Sequence, residues 1–205
     1  MALINQATKE LHVKIVYYGP AKSGKTTNLE QVHAHVETAR PEEKGKLVSL
    51  ATSADRTLFF DFFPLEAAVI KGYTTKFQLF TVPGQVIYNT TRQLVLRGVD
   101  GIVFVADSQY DKMQENVESF QNMEENLKSL NLKLDDIPYV IQYNKRDLDN
   151  IAEVGFLDYL LNNRDVEVPA YEASATKVEG VFETLNGITR LLLQKFITQG
   201  AAARA

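Results

Sequence analysis

Apolar residues recur along the chain in runs of strand length: "HVKIVYY" (12–18), "KLVSLA" (46–51), "EAAVIKGY" (66–73), "TKFQLFTV" (75–82), "GIVFVAD" (101–107), "PYVIQYN" (138–144) and "VPAYEAS" (168–174). Several are nearly continuous in Val, Ile and Phe, the pattern of strands buried on both faces. Between them the spacing changes to that of a helix. Leu29, Val32 and Val36 fall on one helical face, as do Met113, Val117, Phe120, Met123, Leu127 and Leu130 within 109–130. "VFETLNGITRLLLQKFI" predicts a closing helix, and the small-residue tail "TQGAAARA" is expected to fray. Alternating strands and helices predict an α/β fold, a mostly parallel six- to seven-stranded sheet with helices on both faces. "EAAVIKGYTTKFQLFTV" departs from that order: two strand-like runs joined by a short turn predict one antiparallel pair. With no internal repeat and no linker, residues 1–197 read as a single domain and 198–205 as a tail.

Composition narrows the class. At 205 residues, 45% hydrophobic and 23% charged, the chain suits one well-cored domain. The absence of cysteine removes disulfides and thiolate metal sites, and the expected setting is cytoplasmic. A net charge of −4 provides no general field for nucleic-acid phosphates. No basic start leads into an apolar run and no run is long enough to cross a bilayer, so neither export nor membrane insertion is expected. Ala2 and the cysteine-free tail also lack lipidation signals, so membrane association would come through partners.

Directly after the first long strand comes "GPAKSGKTT", Gly19 to Thr27, which fits the phosphate-loop pattern G-x-x-x-x-G-K-[ST] between a strand and a helix. In this arrangement Gly19, Ala21, Lys22, Ser23, Gly24, Lys25, Thr26 and Thr27 line a phosphate site. Backbone N–H groups at a helix N-terminus wrap the anion. Lys25 reaches the terminal phosphates, and the Thr26 hydroxyl ligates a divalent metal that bridges them. The loop alone does not choose between ATP and GTP. "YNKRDL" adds that choice through Asn144, Lys145 and Asp147, because an aspartate here accepts two hydrogen bonds that guanine offers and adenine does not. The Lys145 stem can lie along the base, Asn144 can tie its loop to the phosphate loop, and the Ala175 N–H in "EASAT", beside Ser174, can meet the guanine carbonyl.

With "KIVYYGP…GKTTN", "DRTLFFDF", "TVPGQ", "GVDGIVFVADS" and "PYVIQYNKRDL", the chain resembles the small Ras-like GTPases, P-loop NTPases, and within them the bacterial MglA-type polarity switches, over roughly 3–196. The resemblance implies a GTP/GDP switch using Mg2+, acting in polarity or gliding motility and recruited to a cell pole. It also implies a Roadblock-type, MglB-like activator alongside motility effectors. In that frame Gly84 approaches the γ-phosphate and Gln85 orients the attacking water. Thr57 has the position of the switch threonine that completes metal coordination, and Arg56 that of an arginine finger in cis. Thr81 replaces the aspartate found in most of the superfamily and is not assigned as a ligand. Phe59, Phe60, Phe62 and Phe63 alternate in face if extended, so a slide of two residues would preserve their facing. Such a register shift is expected between nucleotide states.

Ala21 stands where the resemblance expects glycine. Its methyl group leaves a backbone cradle intact but crowds Gln85 or Arg56, so slow hydrolysis is expected. This keeps a second reading open, a GTP-bound interaction module that scarcely turns over; a P-loop kinase or ATPase is a third, against which N-K-x-D counts. His33 and His35, two apart on a helix, have poor metal geometry. Asp107, at a strand end, reads equally as a helix cap or a ligand.

Overall fold

The computed structural model describes residues 3–39, 48–52, 56–70 and 72–202; for 3–4, 37–39, 48–52, 56–70, 86 and 199–202 only the backbone is described. The strands are β1 (Leu3–Asn5), β2 (Glu10–Tyr18), β3 (Val48–Thr52), β4 (Arg56–Ile70), β5 (Tyr73–Thr81), β6 (Gly101–Asp107), β7 (Tyr139–Asn144) and β8 (Ala170–Glu172). The helices are α1 (Lys25–Ala39), α2 (Asn89–Leu96), α3 (Met113–Ser129), α4 (Val154–Leu161) and α5 (Val181–Ala202). Among the described residues the sheet has eight strands in the order β3-β4-β5-β2-β6-β7-β8, with β1 against β2.

The alternating burial of β2 explains the layering. Val16 and Tyr18 join Ile102, Phe104, Tyr139 and Ile141 in a core covered by α2, α3 and α4. Val13, Ile15 and Tyr17 point the other way, with Val103, Val105 and Val140, into a core covered by α1 and α5. Every residue of β6 and β7 is buried. That is why these strands read as unbroken apolar runs, and their parallel pairing with β2 and β8 follows from the helical crossovers.

The sheet is larger than the six to seven strands expected and has three antiparallel pairings where one was expected: β1 with β2, β3 with β4, and β4 with β5. Three-residue β1 is too short to show a period. The β4–β5 turn also falls earlier than the apolar runs imply. β4 ends at Ile70 and β5 begins at Tyr73, so the chain reverses at Gly72, whose φ of 82° lies in the left-handed region. β4 extends back to Arg56, through the aromatic run itself. α2 and α4, each of 8 residues, carry too few apolar repeats to stand out by spacing. α5 continues to Ala202, into the stretch read as tail.

Candidate active site

The C-terminal ends of β2, β6 and β7 and the start of α1 converge on the phosphate loop. α1 opens at Lys25 with no acidic residue in its first turn, so no carboxylate competes for its exposed N–H groups and positive dipole end. Ser23 and Lys25 are buried, while Lys22 is exposed and adopts a φ of 60°. The Lys25 ammonium donates to the carbonyls of Gly19 at 3.1 Å and Pro20 at 2.5 Å. It is therefore held inside the loop that it would serve. Facing this loop across a cleft of ≈ 340 Å³ are Val82, Gly84, Gln85 and Tyr88, and Ala21, Lys22, Gly24, Lys25, Thr26 and Thr27 form the other wall.

One side chain joins three of the motifs. Asn144 Nδ2 donates to the Ser23 carbonyl at 2.7 Å, and Asn144 Oδ1 accepts from the Ala175 N–H at 2.9 Å. Gly24 makes this reach possible, since a Cβ there would stand 2.1 Å from Asn144 Nδ2. The Ala175 N–H, expected to meet a guanine carbonyl, already has an acceptor in the protein and would have to share it. Asp147 stands beside Ser174, whose hydrogen bond holds the Asp147 carboxyl below the usual aspartate range. Asp147 is thus ionised throughout the neutral range, as a two-bond acceptor must be.

The Ras family profile matches residues 48–194. Over 193 residues, 94% of this chain and 96% of the other, the chain is 50% identical to the mutual gliding-motility protein MglA of Myxococcus xanthus (strain DK1622). The chain belongs to the Ras family.

Two residues of this Ras-family chain hold its motif segments in place: Asp107, read from the sequence as a helix cap or a ligand, and Arg92, given no role by any motif. Asp107, 1% exposed, receives Lys145 Nζ at 2.5 Å and the Gln109 side-chain amide, while Asn116 bonds both its N–H and its carbonyl. It therefore fixes the head of Lys145 at the end of β6. The signal was a matter of register: Asp107 is the β6 partner of Asn144 on β7. Arg92 on α2 has no exposed surface and holds the "TVPGQ" loop by donating from Nε to Pro83 O at 2.8 Å and from Nη2 to Gly84 O at 2.6 Å. No motif marks it.

Gly84 itself lies against the phosphate loop. A Cβ at this position would fall 2.3 Å from Ala21 Cα and 2.6 Å from Ala21 N, both backbone atoms that cannot turn aside. Ala21 and Gln85 line the same cleft.

On the switch side, Arg56 and Thr57 open β4, paired with Thr52 and Ala51 of β3; their side chains lie outside those described, as do those of Phe59, Phe60, Phe62 and Phe63. The register changes just beyond them. Val48–Phe62 and Ser49–Asp61 are followed by Ala51–Thr57, so Leu58, Phe59 and Phe60 stand opposite the single Leu50. β4 carries two extra residues at that point. Such an excess re-aims the strand that bears it and is common beside active sites.

Proposed function

We propose that the protein is a GTP-binding switch that hydrolyses GTP to GDP and signals through the conformation of β4 and the "TVPGQ" loop. The observation that carries the reading is the bridge made by Asn144. It couples the phosphate loop through Ser23, the N-K-x-D segment to which it belongs, and the S-A segment through Ala175. A guanine held by Asp147 and Lys145 would thus sit in fixed register with its own phosphates. Recognition by the Asp147 carboxylate rejects adenine, which would leave that carboxylate unpaired.

The donors suit a triphosphate. Phosphate oxygens are stronger acceptors for Lys25 than the two carbonyls it now meets. Among the described residues no cluster of three His, Cys, Asp or Glu side chains could hold a metal. By the phosphate-loop pattern and the family resemblance, Mg2+ would be held by the Thr26 and Thr57 hydroxyls together with phosphate oxygens and water. When bound it supplies positive charge between the phosphates. Gln85 orients the water, and Arg56 donates to the γ-phosphate oxygens as they gain charge. The two-residue excess at Leu58–Phe60 supplies the slack for β4 to slide by two positions, which moves Arg56 and Thr57 along the cleft while each side chain keeps its face.

The relative in Myxococcus xanthus is named for gliding motility. By that likeness this switch acts in motility or cell polarity, answers to a Roadblock-type MglB-like activator, and is recruited to a pole by partners. No helix among the described residues is long and apolar enough to cross a membrane. One observation favours a second reading, a GTP-bound module with negligible turnover: Ala21, and not a glycine, lines the cleft with Gln85 and Gly84. Single-turnover hydrolysis of bound GTP, with ATP as competitor, separates the readings. Hydrolysis that Gln85→Ala abolishes supports the switch, stable GTP supports the module, and displacement by ATP would sink both.

A further inference from the structure

Arg92 is the largest fully buried side chain among the described residues, and its hydrogen-bond acceptors are neutral. Beyond Pro83 and Gly84, its Nη1 donates to Asn122 Oδ1 of α3 at 2.5 Å, and its plane lies 5.3 Å from the centre of the Tyr18 ring. Tyr18 donates to the same Asn122 oxygen at 2.7 Å. Asn126 Nδ2 donates to Tyr18 Oη at 3.0 Å and to Asn89 Oδ1 at 2.7 Å. Asn122 Nδ2 reaches Asn89 Oδ1 as well, at 3.1 Å. The polar knot therefore spans β2, α2 and α3, takes in Gln93 through its bond to Asn126 Oδ1, and reaches the pair of carbonyls preceding Gln85 through Arg92.

A guanidinium stripped of water is costly unless several acceptors satisfy it, and an apolar side chain would fill the same space more cheaply. What an apolar residue could not do is hold two successive carbonyls at once. Arginine's planar fork does so, whereas the point charge of lysine cannot span both. Gly84 is thereby held by its carbonyl while it lies against the Ala21 backbone, and Gln85, φ −87° and ψ 136°, follows at the head of the next turn without a side-chain cap bond of its own.

We propose that Arg92 is a positioning residue for GTP hydrolysis: by fixing the Pro83 and Gly84 carbonyls onto a base of α3 asparagines, it sets where Gln85 enters the cleft. This rests on the reading of Gln85 as the residue that orients water. Arg92 is buried and does not line the cleft beside the phosphate loop, so nucleotide retention, which rests on the phosphate loop and the Asn144 bridge, is expected to be independent of it.

The test is single-turnover hydrolysis and GDP dissociation for wild type, Arg92→Lys, Asn122→Ala, Gln85→Ala and the Arg92→Lys/Gln85→Ala pair. Displacing a catalytic group by a fraction of an ångström is expected to slow hydrolysis in Arg92→Lys by about tenfold or more. GDP dissociation should stay within about twofold, and Arg92→Lys should cause no further slowing once Gln85 is gone. Asn122→Ala, which keeps both carbonyl bonds but frees the far end of the guanidinium, should lie between wild type and Arg92→Lys, and it carries the test if Arg92→Lys does not fold. Equal slowing in both Gln85 backgrounds, or dissociation that rises in step with the loss of hydrolysis, reduces Arg92 to a structural residue and overturns the proposal. Wild-type hydrolysis in Gln85→Ala removes the underlying reading with it. Slow Gln85→Ala beside normal Arg92→Lys and Asn122→Ala removes the proposal alone.

Discussion

The proposed guanine side and the proposed hydrolytic side of the site are built in opposite ways. The first rests on fully buried parallel strands, β6 and β7, whose ends are joined to the phosphate loop by Asn144 and to each other by the Asp107–Lys145 ion pair. The second rests on antiparallel strands at the sheet's edge, with a two-residue excess in β4 beside Arg56 and Thr57 and a further register break near Ala67. Packed parallel strands buried on both faces have one register and suit a base site that stays fixed. An edge pair that already carries spare residues has a second register within reach, which a switch requires. Between them the "TVPGQ" loop is tied to Arg92 through the Pro83 and Gly84 carbonyls. A substitution should therefore change affinity or hydrolysis according to the end it touches.

The sharpest break in that division is Arg56→Ala. Loss of a cis arginine finger is expected to slow hydrolysis by about a thousandfold, with GDP dissociation nearly unchanged; single-turnover assays check both. Asn144→Ala comes next and acts in the opposite sense. It removes two buried hydrogen bonds and leaves Ser23 O and the Ala175 N–H unpaired, so GTP and GDP affinity should fall by about a hundredfold. The rate of hydrolysis from the bound state should change far less, and titration with a fluorescent nucleotide followed by single turnover measures the split.

Ala21→Gly is the smaller test and lies on the boundary between the two ends. Removing the methyl group should raise hydrolysis by several-fold, roughly tenfold at most, at unchanged affinity. No acceleration, with or without an activator, would contradict the crowding of Gln85 or Arg56.

The smallest effect concerns pH. Ser174 holds the Asp147 carboxyl below its ordinary value of 3.8, so the charged form is favoured in the folded protein. Its contribution is fully present above about pH 4 and is lost only as pH falls through the depressed value. GDP dissociation should then be flat from about pH 8 to pH 5, and a rise within that window that Asp147→Asn abolishes would count against the assignment.

Legibility in the sequence followed the same division. The buried strands, α1, α3, α5 and the loop motifs were readable because continuous apolar runs and phosphate-loop spacing are local patterns. The edge was harder to read. β1 is three residues long, the true turn at Gly72 was hidden by apolar residues on both sides, and the two-residue excess in β4 exists only in relation to its partner strand. Arg92 was silent, and Asp107 read equally as a helix cap or a ligand, for a related reason. Each acts through a neighbour brought close by folding, Gly84 and Lys145, and a charged residue in a sequence does not announce that it will be buried. The occupied Ala175 N–H is a third case, since motif spacing says where a donor lies but not what it meets.

The most direct test of the division is a paired measurement of GDP dissociation and single-turnover GTP hydrolysis on Asn144→Ala and Arg56→Ala. The account expects fast dissociation with nearly normal hydrolysis in the first, and normal dissociation with hydrolysis almost abolished in the second. If both variants lose retention and hydrolysis in the same proportion, the two ends are one cooperative site and the account is wrong.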